Sequence, residues 1–333
     1  MFAAMSSTHT DAPSAPTATL PVLTGQEPFF VVLNAGSGRG EADEVRATIE
    51  RILQEAGRRC EIRVVDDPSR LTEHADWAVQ SARAQQGVVV AAGGDGTLNA
   101  VTQSVLGTGL PFAILPQGTF NYFGRTYGIP ADTERATRAM LDATIEPVQV
   151  GMLNEHAFLV NASLGLYPQL LEDREAYKQR YGRSRGVALW SGLVTAWRRP
   201  RQLSLTLLQD GRTRVLRTPT LVVGNNALQL EQLGFAEVDL LEQGSLVAMS
   251  PKPVGSLALY GMIVRGLLSR LGEADNVVSF GFQELRVKYR RGMRHKVAMD
   301  GEIFHMDGEL IFKVCPDPLP LLVPRHVDPA DRA

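Results

Sequence analysis

The chain has 333 residues, of which 44% are hydrophobic and 21% are charged, and its formal net charge is −2 at pH 7. This composition is ordinary for a folded globular protein, and the length accommodates two domains. The near-neutral charge argues against nucleic acid as the main partner. Two cysteines without metal-ligand spacing favour a reduced, cytoplasmic setting.

The start of the chain, residues 1–27, is rich in Ala, Ser, Thr and Pro and lacks the basic and apolar segments of a signal peptide. We predict a disordered tail there, and a flexible end at 326–333. The most apolar later stretch, 257–271, contains two arginines and is shorter than the roughly 20 residues that a spanning helix needs. No transmembrane segment is therefore expected.

From residue 28 onwards, strand and helix patterns alternate. Short apolar runs predict four strands, at 29–33, 61–65, 87–92 and 111–115. Helical patterns lie between them, at 41–56, 71–86 and 97–106. This alternation predicts an α/β domain with a mostly parallel sheet and helices on both faces. We assign residues 28–145 to this domain and expect it to bind a nucleotide.

After about residue 145 the pattern changes to short β-type runs separated by glycine and polar turns. This change predicts a mainly antiparallel β-sandwich as a second domain, residues 146–325. Helical insertions are expected near 185–199 and 256–271.

The motif at 93–99, Gly-Gly-Asp-Gly-Thr-Leu-Asn, follows a buried-strand pattern and precedes a helical one. Glycines at such a turn let the backbone approach a ligand closely, and free N–H groups at a helix start favour an anion. We expect Thr97 to cap the helix. A carboxylate at Asp95 suits this position if Mg²⁺ lies between it and phosphates. The motif predicts a nucleotide phosphate site; a plain turn with a solvated Asp is the alternative.

Two more polar, glycine-containing loops, 34–40 and 117–121, follow predicted strands. Ligands of parallel sheets bind beyond the carboxyl ends of the strands, so all three loops are expected to converge. The chain has no P-loop motif, and the first loop lacks the dinucleotide-binding glycine pattern. Phosphate charge would then be met by backbone N–H groups, Mg²⁺, or arginines such as Arg39 and Arg125.

Taken together and in this order, the three loop motifs resemble the diacylglycerol kinase catalytic family. Within it, they are most similar to the bacterial soluble lipid kinases that act on diacylglycerol or sphingoid bases. The resemblance extends over roughly residues 28–325. It implies ATP and Mg²⁺ as cofactors and a lipid hydroxyl as the phosphoryl acceptor. The acceptor classes it suggests are diacylglycerol-like lipids, phosphatidylglycerol and sphingoid bases.

The resemblance also implies the site residues. Asp300-Gly301-Glu302 matches the family's Asp-Gly-Glu motif, which implies that Glu302 or Asp300 is the general base. A second copy at 307–309 is interpreted as a hairpin turn, while the first follows a strand pattern. The catalytic candidates are Asp95, Asp300 and Glu302, with Asp95 as the metal ligand. The cofactor-binding candidates are Asn34, Ser37, Gly38, Gly93, Gly94, Asp95, Gly96, Thr97, Leu98, Asn99 and Thr119.

Two positions depart from the family pattern. Tyr122 stands where many relatives have Asp, and Gln149 stands where they have an acidic residue. The family's structural metal loop in the second domain is here 242–246, Glu-Gln-Gly-Ser-Leu, which weighs against a second metal. These departures predict altered metal use, with Asp95 as the one acidic metal contact expected in the motif loops of the first domain.

Partners and rival functions follow from the same features. Basic clusters at 174–185, 198–201 and 286–296 would suit an anionic bilayer, with scattered solvated arginines as an equally weighted alternative. We expect a cytoplasmic protein, peripheral to the inner face of the membrane, with a lipid substrate, no nucleic-acid partner, and homodimer formation left open. The rival functions are an NAD kinase-like enzyme and a catalytically silent lipid or nucleotide sensor.

Overall fold

The computed structural model describes residues 20–34, 39–118, 121–169, 171–172, 202–209, 211–235, 237–252, 277–288 and 294–332. The helical insertions predicted near 185–199 and 256–271 lie outside these residues, as does most of the predicted N-terminal tail. No helix in the described part of the chain is long and apolar enough to cross a membrane.

The first sheet has six strands, and five of them are parallel. In chain order these strands are β1 (Phe29–Asn34), β2 (Cys60–Val65), β3 (Val88–Gly93), β4 (Phe112–Pro116), β5 (Ala143–Val148) and β18 (Leu319–Pro324). Their order across the sheet is β2-β1-β3-β4-β18-β5, with β5 antiparallel to β18. Every residue of β3 and β4 is buried, which explains their uninterrupted apolar sequences. The predicted parallel α/β domain is confirmed.

Helices cover this sheet and also connect its strands. They are α1 (Arg39–Glu55), α2 (Leu71–Gln85), α3 (Asp95–Val105), α4 (Tyr122–Thr126) and α5 (Thr133–Leu141). A 3₁₀ turn, Pro68–Arg70, precedes α2. Helix α3 begins two residues earlier than predicted, because Gly94 is its N-cap residue. The prediction that Thr97 caps this helix is therefore wrong.

The C-terminal segment returns to the first sheet. Strand β18 is entirely buried and lies between β4 and β5, although the sequence placed residues 319–324 in the second domain. The apolar run 319–324 pairs with β4 and β5 of the first sheet. The order of the elements along the chain does not reveal this pairing. The end predicted to be flexible contains a short helix, α8 (Pro329–Arg332), and Asp331 in it pairs with Arg135 at 2.8 Å.

The described residues of the second domain form two antiparallel six-stranded sheets. Its strands are β6 (Gly151–Leu153), β7 (His156–Phe158), β8 (Asn161–Gly165), β9 (Leu203–Gln209), β10 (Arg212–Thr218), β11 (Thr220–Gly224), β12 (Leu246–Pro251), β13 (Val277–Phe282), β14 (Glu284–Lys288), β15 (His295–Met299), β16 (Glu302–Met306) and β17 (Leu310–Val314). Two short helices follow β11: α6 (Ala227–Gln232) and α7 (Val238–Glu242).

The two sheets of the second domain have the orders β10-β9-β14-β17-β6-β7 and β13-β12-β11-β8-β15-β16. They share one apolar core, in which Leu207 and Phe312 of the first pack with Leu164 and Val297 of the second. Alternate residues of β14 are buried, as expected for a strand with one face in the core. The predicted antiparallel sandwich is confirmed.

Candidate active site

A cleft opens where the strand order of the first sheet reverses. Strand β2 lies on one side of β1 and β3 lies on the other, so the chain leaves the two neighbouring ends in opposite directions. The cleft there has a volume of about 690 Å³, which is within the usual range for a small-molecule site. Its lining residues are Asn34, Pro68, Ser69, Leu71, Thr72, Gly94, Gly96, Thr97, Ala100 and Glu302.

The glycine turn before α3 leaves the start of that helix open. No described side chain caps the helix, so the N–H groups of its first turn are available to an anion. A Cβ on Gly118 would lie 3.3 Å from the Cα of Gly94, so the third loop packs directly on the second. A Cβ on Gly93 would lie 2.7 Å from the Thr97 Oγ1. These glycines permit close packing of the two loops and of the Thr97 side chain, whereas the approach of a ligand to this backbone stays a prediction.

Asn34 joins the end of β1 to the first turn of α3. Its Nδ2 donates to the Thr97 Oγ1 at 2.8 Å, and Thr97 is only 3% exposed. This bond fixes the first loop's Asn34 beside the glycine turn. It also explains why Thr97 is polar although it does not cap the helix.

Asp95 is the first residue of α3, and its Oδ1 is buried with no hydrogen-bond partner among the described residues. Burial, with a smaller effect from the Asp300 carboxylate, raises the pKa of Asp95 to about 6. A buried carboxylate oxygen that no donor satisfies is suited to a hard cation such as Mg²⁺. The residues present therefore fit the metal that the sequence assigned to Asp95.

Gln149, by contrast, does not fit a metal. Its Nε2 donates to the Asn225 Oδ1 at 2.8 Å and to the Ser245 carbonyl at 3.1 Å. The two oxygens that converge here are satisfied by N–H groups, so a cation has no place among them.

Asp300 lies in the turn between β15 and β16 and has a positive φ of 46°. Its carboxylate accepts four N–H groups, from Leu159 (2.7 Å), Val160 (2.8 Å), Asn161 (3.1 Å) and the Asn99 Nδ2 (2.7 Å). Burial raises the pKa of Asp300, and these donors oppose that rise. Because its oxygens are engaged by protein donors, the geometry suits Asp300 to holding the turn rather than accepting a substrate proton.

Glu302 begins β16, two residues after Asp300, and its carboxylate lies against the first turn of α3. A Cβ on Gly96 would overlap the Glu302 Oε1, so a larger residue there would displace this carboxylate. The side chain remains open to the cleft, and partial burial together with the Asp300 charge raises the pKa of Glu302. A carboxylate that is accessible and has a raised pKa is suited to general base chemistry.

Some of the predicted site residues come together and others do not. Asn34, Gly94, Gly96, Thr97 and Glu302 line one cleft. The Leu98 side chain is fully buried in the core, and the Asn99 amide donates to Asp300 and to the Ala157 carbonyl, so neither side chain faces the cleft. Ser37, Gly38 and Thr119 lie outside the described residues.

Sequence reasoning missed the wall of the cleft formed by Pro68, Ser69, Leu71 and Thr72. A signal was present, because Val65 ends a parallel strand and a polar turn follows it at 66–69. The rule that placed the other three loops at the carboxyl ends of strands applies to this fourth loop as well.

The described part of the predicted basic clusters is paired with acidic residues. Arg286 pairs with Glu284 at 2.7 Å, Lys288 lies 3.7 Å from Glu309, and Arg294 lies 3.7 Å from Asp307. Lys296 pairs with Glu172. These cations are partly neutralised within the protein. The clusters at 174–185 and 198–201 lie outside the described residues.

Residues 28–153 match the family model of the diacylglycerol kinase catalytic domain. The match contains the glycine turn, Asn34, Asp95 and the third loop. This part of the chain is similar to the diacylglycerol kinase catalytic domain. The family resemblance predicted from the motifs is confirmed over these residues, and Asn34, Gly94, Gly96 and Thr97 of the motifs line the cleft described above.

Curated relatives match this chain over different lengths. A YegS-like lipid kinase of Pseudomonas aeruginosa is 39% identical over 128 residues, which is 37% of this chain and 40% of that protein. An uncharacterized protein of Synechocystis is 23% identical over 295 residues, which is 84% of this chain and 66% of that protein. The chain thus spans less than two thirds of either relative.

Among solved structures, a diacylglycerol kinase from Bacillus anthracis has a TM-score of 0.65 and 18% sequence identity, covering 91% of this chain and 98% of that one. Another structure from the same organism has a TM-score of 0.70 and covers 93% of this chain and 99% of its own. At this level of identity the likeness shows a shared fold, and it extends through both domains.

Proposed function

We propose that this protein is an ATP- and Mg²⁺-dependent lipid kinase that transfers the γ-phosphoryl group of ATP to a lipid hydroxyl. One observation carries the proposal: the Glu302 carboxylate, from the second domain, lies against Gly96 at the start of α3 in the first domain. The helix start is where phosphate is favoured, and the carboxylate is the group that can accept a proton. A phosphate site at the start of α3 and a candidate base, Glu302, would therefore lie next to each other.

On the donor side, the N–H groups of the first turn of α3 would bind phosphate oxygens. The Asn34–Thr97 pair would fix the loop beside them. Asp95 would hold Mg²⁺, which when bound neutralises the phosphate charge that develops during transfer. Gly94 and Gly96 would let the phosphates approach the backbone.

On the acceptor side, Glu302 would take the proton of the lipid hydroxyl as its oxygen attacks the γ-phosphorus. The new P–O bond forms while the bond from the γ-phosphorus to the bridging oxygen of ADP breaks, and ADP leaves. A carboxylate whose pKa is raised retains the transferred proton more readily. Asp300 would contribute by holding the turn that presents Glu302.

The lipid class of the acceptor is supported by the relatives. One relative is named a lipid kinase, and one structural neighbour is named a diacylglycerol kinase. From these names we propose that the acceptor of this protein is a diacylglycerol-like lipid, phosphatidylglycerol or a sphingoid base. Such a substrate resides in a bilayer, so the protein would act in the cytoplasm at the inner face of the membrane.

The test is incubation of the purified protein with ATP, Mg²⁺ and a total bacterial lipid extract, followed by mass spectrometry for phosphorylated lipids. Parallel reactions contain NAD instead of lipid, and matched samples contain Glu302→Gln or Glu309→Gln protein. We expect a phosphorylated lipid with the wild type and Glu309→Gln, and its loss with Glu302→Gln. Phosphate on NAD alone would favour an NAD kinase-like enzyme, and ATP binding without any turnover would favour a sensor.

A further inference from the structure

The corner between β11 and α6, residues 225–229, lies outside the cleft and is hydrogen-bonded to α4 in the first domain and to β8 in the second. It contains two adjacent asparagines and a glutamine whose side-chain amides connect segments distant in the chain. A kinetic role for this corner rests on the proposed function, whereas its structural role does not.

Asn226 connects this corner to the first domain. It is 2% exposed, and its Oδ1 accepts the Gln229 N–H at 2.9 Å as the N-cap of α6. Its Nδ2 donates to the Thr126 Oγ1 at 2.8 Å and to the Tyr122 carbonyl at 3.4 Å. Both of these partners belong to α4, so one buried amide fixes α6 to α4.

The start of helix α4 lies against the third loop. Asn121 is its N-cap residue and has a positive φ of 45°. A Cβ on Gly118 would lie 2.9 Å from the Asn121 Oδ1 and 3.3 Å from the Cα of Gly94. The start of α4 therefore packs on the third loop, and that loop packs on the turn that bears Asp95.

Gln229 connects the same corner to the Asp300 turn. Its Oε1 accepts the Asn161 Nδ2 at 3.0 Å. The Asn161 backbone N–H donates to the Asp300 Oδ1 at 3.1 Å, and its carbonyl accepts the Asp300 N–H at 3.0 Å. Two hydrogen-bond steps therefore separate Gln229 from the residue that holds the Glu302 turn.

Asn225 adds a second connection. Its Oδ1 accepts the Gln149 Nε2 at 2.8 Å, and its Nδ2 donates to the carbonyls of Gln149 (3.1 Å) and Leu159 (3.2 Å). Its backbone N–H donates to the Val160 carbonyl at 2.8 Å. The segment between β5 and β6 is thereby bonded to the same 159–160 backbone that donates to Asp300.

We infer that the corner 225–229 is a positioning element that sets the placement of Glu302 relative to the first turn of α3. It bonds to α4 on one side and to the Asp300 turn on the other, and it touches no reacting group. Misplacement of a reacting group by about 1 Å can reduce turnover about 100-fold. A loosened corner is therefore expected to lower kcat, while the phosphate cradle within the first domain keeps its affinity for ATP.

The decisive variant is Asn226→Asp. It has the same size and keeps the oxygen that caps α6, but it removes both N–H donations to α4. The matched control is Asn154→Asp, because the Asn154 Oδ1 likewise accepts a backbone N–H, that of Ile311 at 2.8 Å, in a turn away from the cleft. Thr126→Ser, which keeps the acceptor oxygen, serves as the conservative variant at the partner position, and Thr126→Val removes it.

We expect Asn226→Asp and Thr126→Val to lower kcat about 10-fold or more, with the KM for ATP changed less than about threefold. Asn154→Asp and Thr126→Ser should turn over like the wild type. Equal kcat values for Asn226→Asp and Asn154→Asp would overturn the inference. So would a loss of turnover that merely follows the unfolded fraction at the assay temperature.

Hydrogen exchange supplies a readout that needs no activity. In Asn226→Asp, the amide hydrogens of Leu159, Val160 and Asp300 should exchange faster than in the wild type and in Asn154→Asp, because their partners are connected to the corner. Unchanged exchange at these amides would overturn the inference, whatever the enzyme's substrate. If the wild type phosphorylates no lipid but this exchange still changes, the proposed function fails and the coupling stands.

Discussion

The tripeptide Asp-Gly-Glu occurs at 300–302 and again at 307–309, and the two copies lie in different surroundings. In the first, Asp300 accepts four N–H groups and Glu302 contacts the start of α3. In the second, the Asp307 side chain is 75% exposed and lies 3.7 Å from Arg294. Glu309 lies 3.7 Å from Lys288. Identical sequences thus have a carboxylate held by four donors in one place and ion pairs of 3.7 Å in the other.

The turns themselves also differ. Asp300 and Gly301 both have positive φ, 46° and 87°, and they form a two-residue hairpin between β15 and β16. The second copy connects β16 to β17, which belong to different sheets. The sequence interpretation of the second copy as a hairpin turn is therefore wrong, and the hairpin is at the first copy.

This comparison shows that the surroundings of each copy of the motif depend on residues distant in the chain. The donors to Asp300 are 139 to 201 positions away in the chain, and the Glu302 contact is with Gly96 in the other domain. Neither the tripeptide nor its hairpin geometry would make a base by itself. Substitutions made in parallel at the two copies separate these contributions.

The largest expected difference is between Glu302→Gln and Glu309→Gln. Removing a general base lowers turnover by about 100- to 10,000-fold, so Glu302→Gln should lose nearly all kcat. Glu309→Gln removes only a partly exposed pair with Lys288 and should stay within about twofold of the wild type. Steady-state kinetics with lipid and ATP measure both. Full turnover by Glu302→Gln would show that the assigned base is wrong.

The next difference concerns folding, and it compares Asp300→Asn with Asp307→Asn. An amide at position 300 would direct N–H groups at the backbone donors of 159–161, leaving buried groups unsatisfied at a cost of about 2–3 kcal/mol. Asp307→Asn should change the free energy of unfolding by less than about 0.5 kcal/mol. Denaturant titrations at pH 7 measure the two values. Equal stability of the two variants would contradict the structural role of Asp300.

The stability of the metal-free protein should depend on pH, because burial, with a smaller effect from the Asp300 charge, raises the pKa of Asp95 to about 6. The folded state without metal binds more protons than the unfolded state between about pH 4 and pH 6, so its stability falls as pH rises through that window. Asp95→Asn removes this dependence, abolishes turnover, and should stabilise the metal-free protein at pH 8 by about 1–3 kcal/mol.

At pH 3.5 the same Asp95→Asn variant should match the wild type in stability, because both forms are uncharged there. Asp307→Asn keeps Asp95 and serves as the exposed control, so its unfolding should differ little from that of the wild type at either pH. Adding Mg²⁺ at pH 8 should stabilise the wild type and leave Asp95→Asn unchanged. Thermal unfolding at the two pH values, with and without Mg²⁺, tests all three statements, and a Mg²⁺ effect that survives Asp95→Asn counts against Asp95 as the ligand.

The sequence predicted much of the first domain because its physics is local. Helix α2 was expected at 71–86 and is Leu71–Gln85, and the strand before the glycine turn was expected at 87–92 and is Val88–Gly93. Strands buried on both faces are continuous apolar runs, and their carboxyl ends gather the polar loops that follow them. Asn34, Gly94, Gly96 and Thr97 could therefore be assigned to one site.

What the sequence did not predict depends on long-range contacts. The return of β18 to the first sheet, the partnership of Asn99 with Asp300, and the corner at 225–229 all join segments far apart in the chain. An asparagine after a strand has the same local signature whether it binds a ligand, caps a helix or bridges two domains. Only the packing of the two domains distinguishes these roles.

The smallest expected effects come from substitution of the glycines, Gly96→Ala and Gly308→Ala. The first should lower kcat and the second should lower stability. Gly96 is inside α3 without a positive φ, so alanine is compatible with the helix, but its methyl group would displace the flexible Glu302 carboxylate. We expect a loss of about 10-fold in kcat with little change in stability. Gly308 has a φ of +82° and open space around it, so alanine there costs about 1 kcal/mol of backbone strain and leaves kcat unchanged. Measurements of kcat and of unfolding midpoints for both variants distinguish a glycine required by the site from a glycine required by its own turn. A loss of kcat in Gly308→Ala would show that the second copy is coupled to the active site.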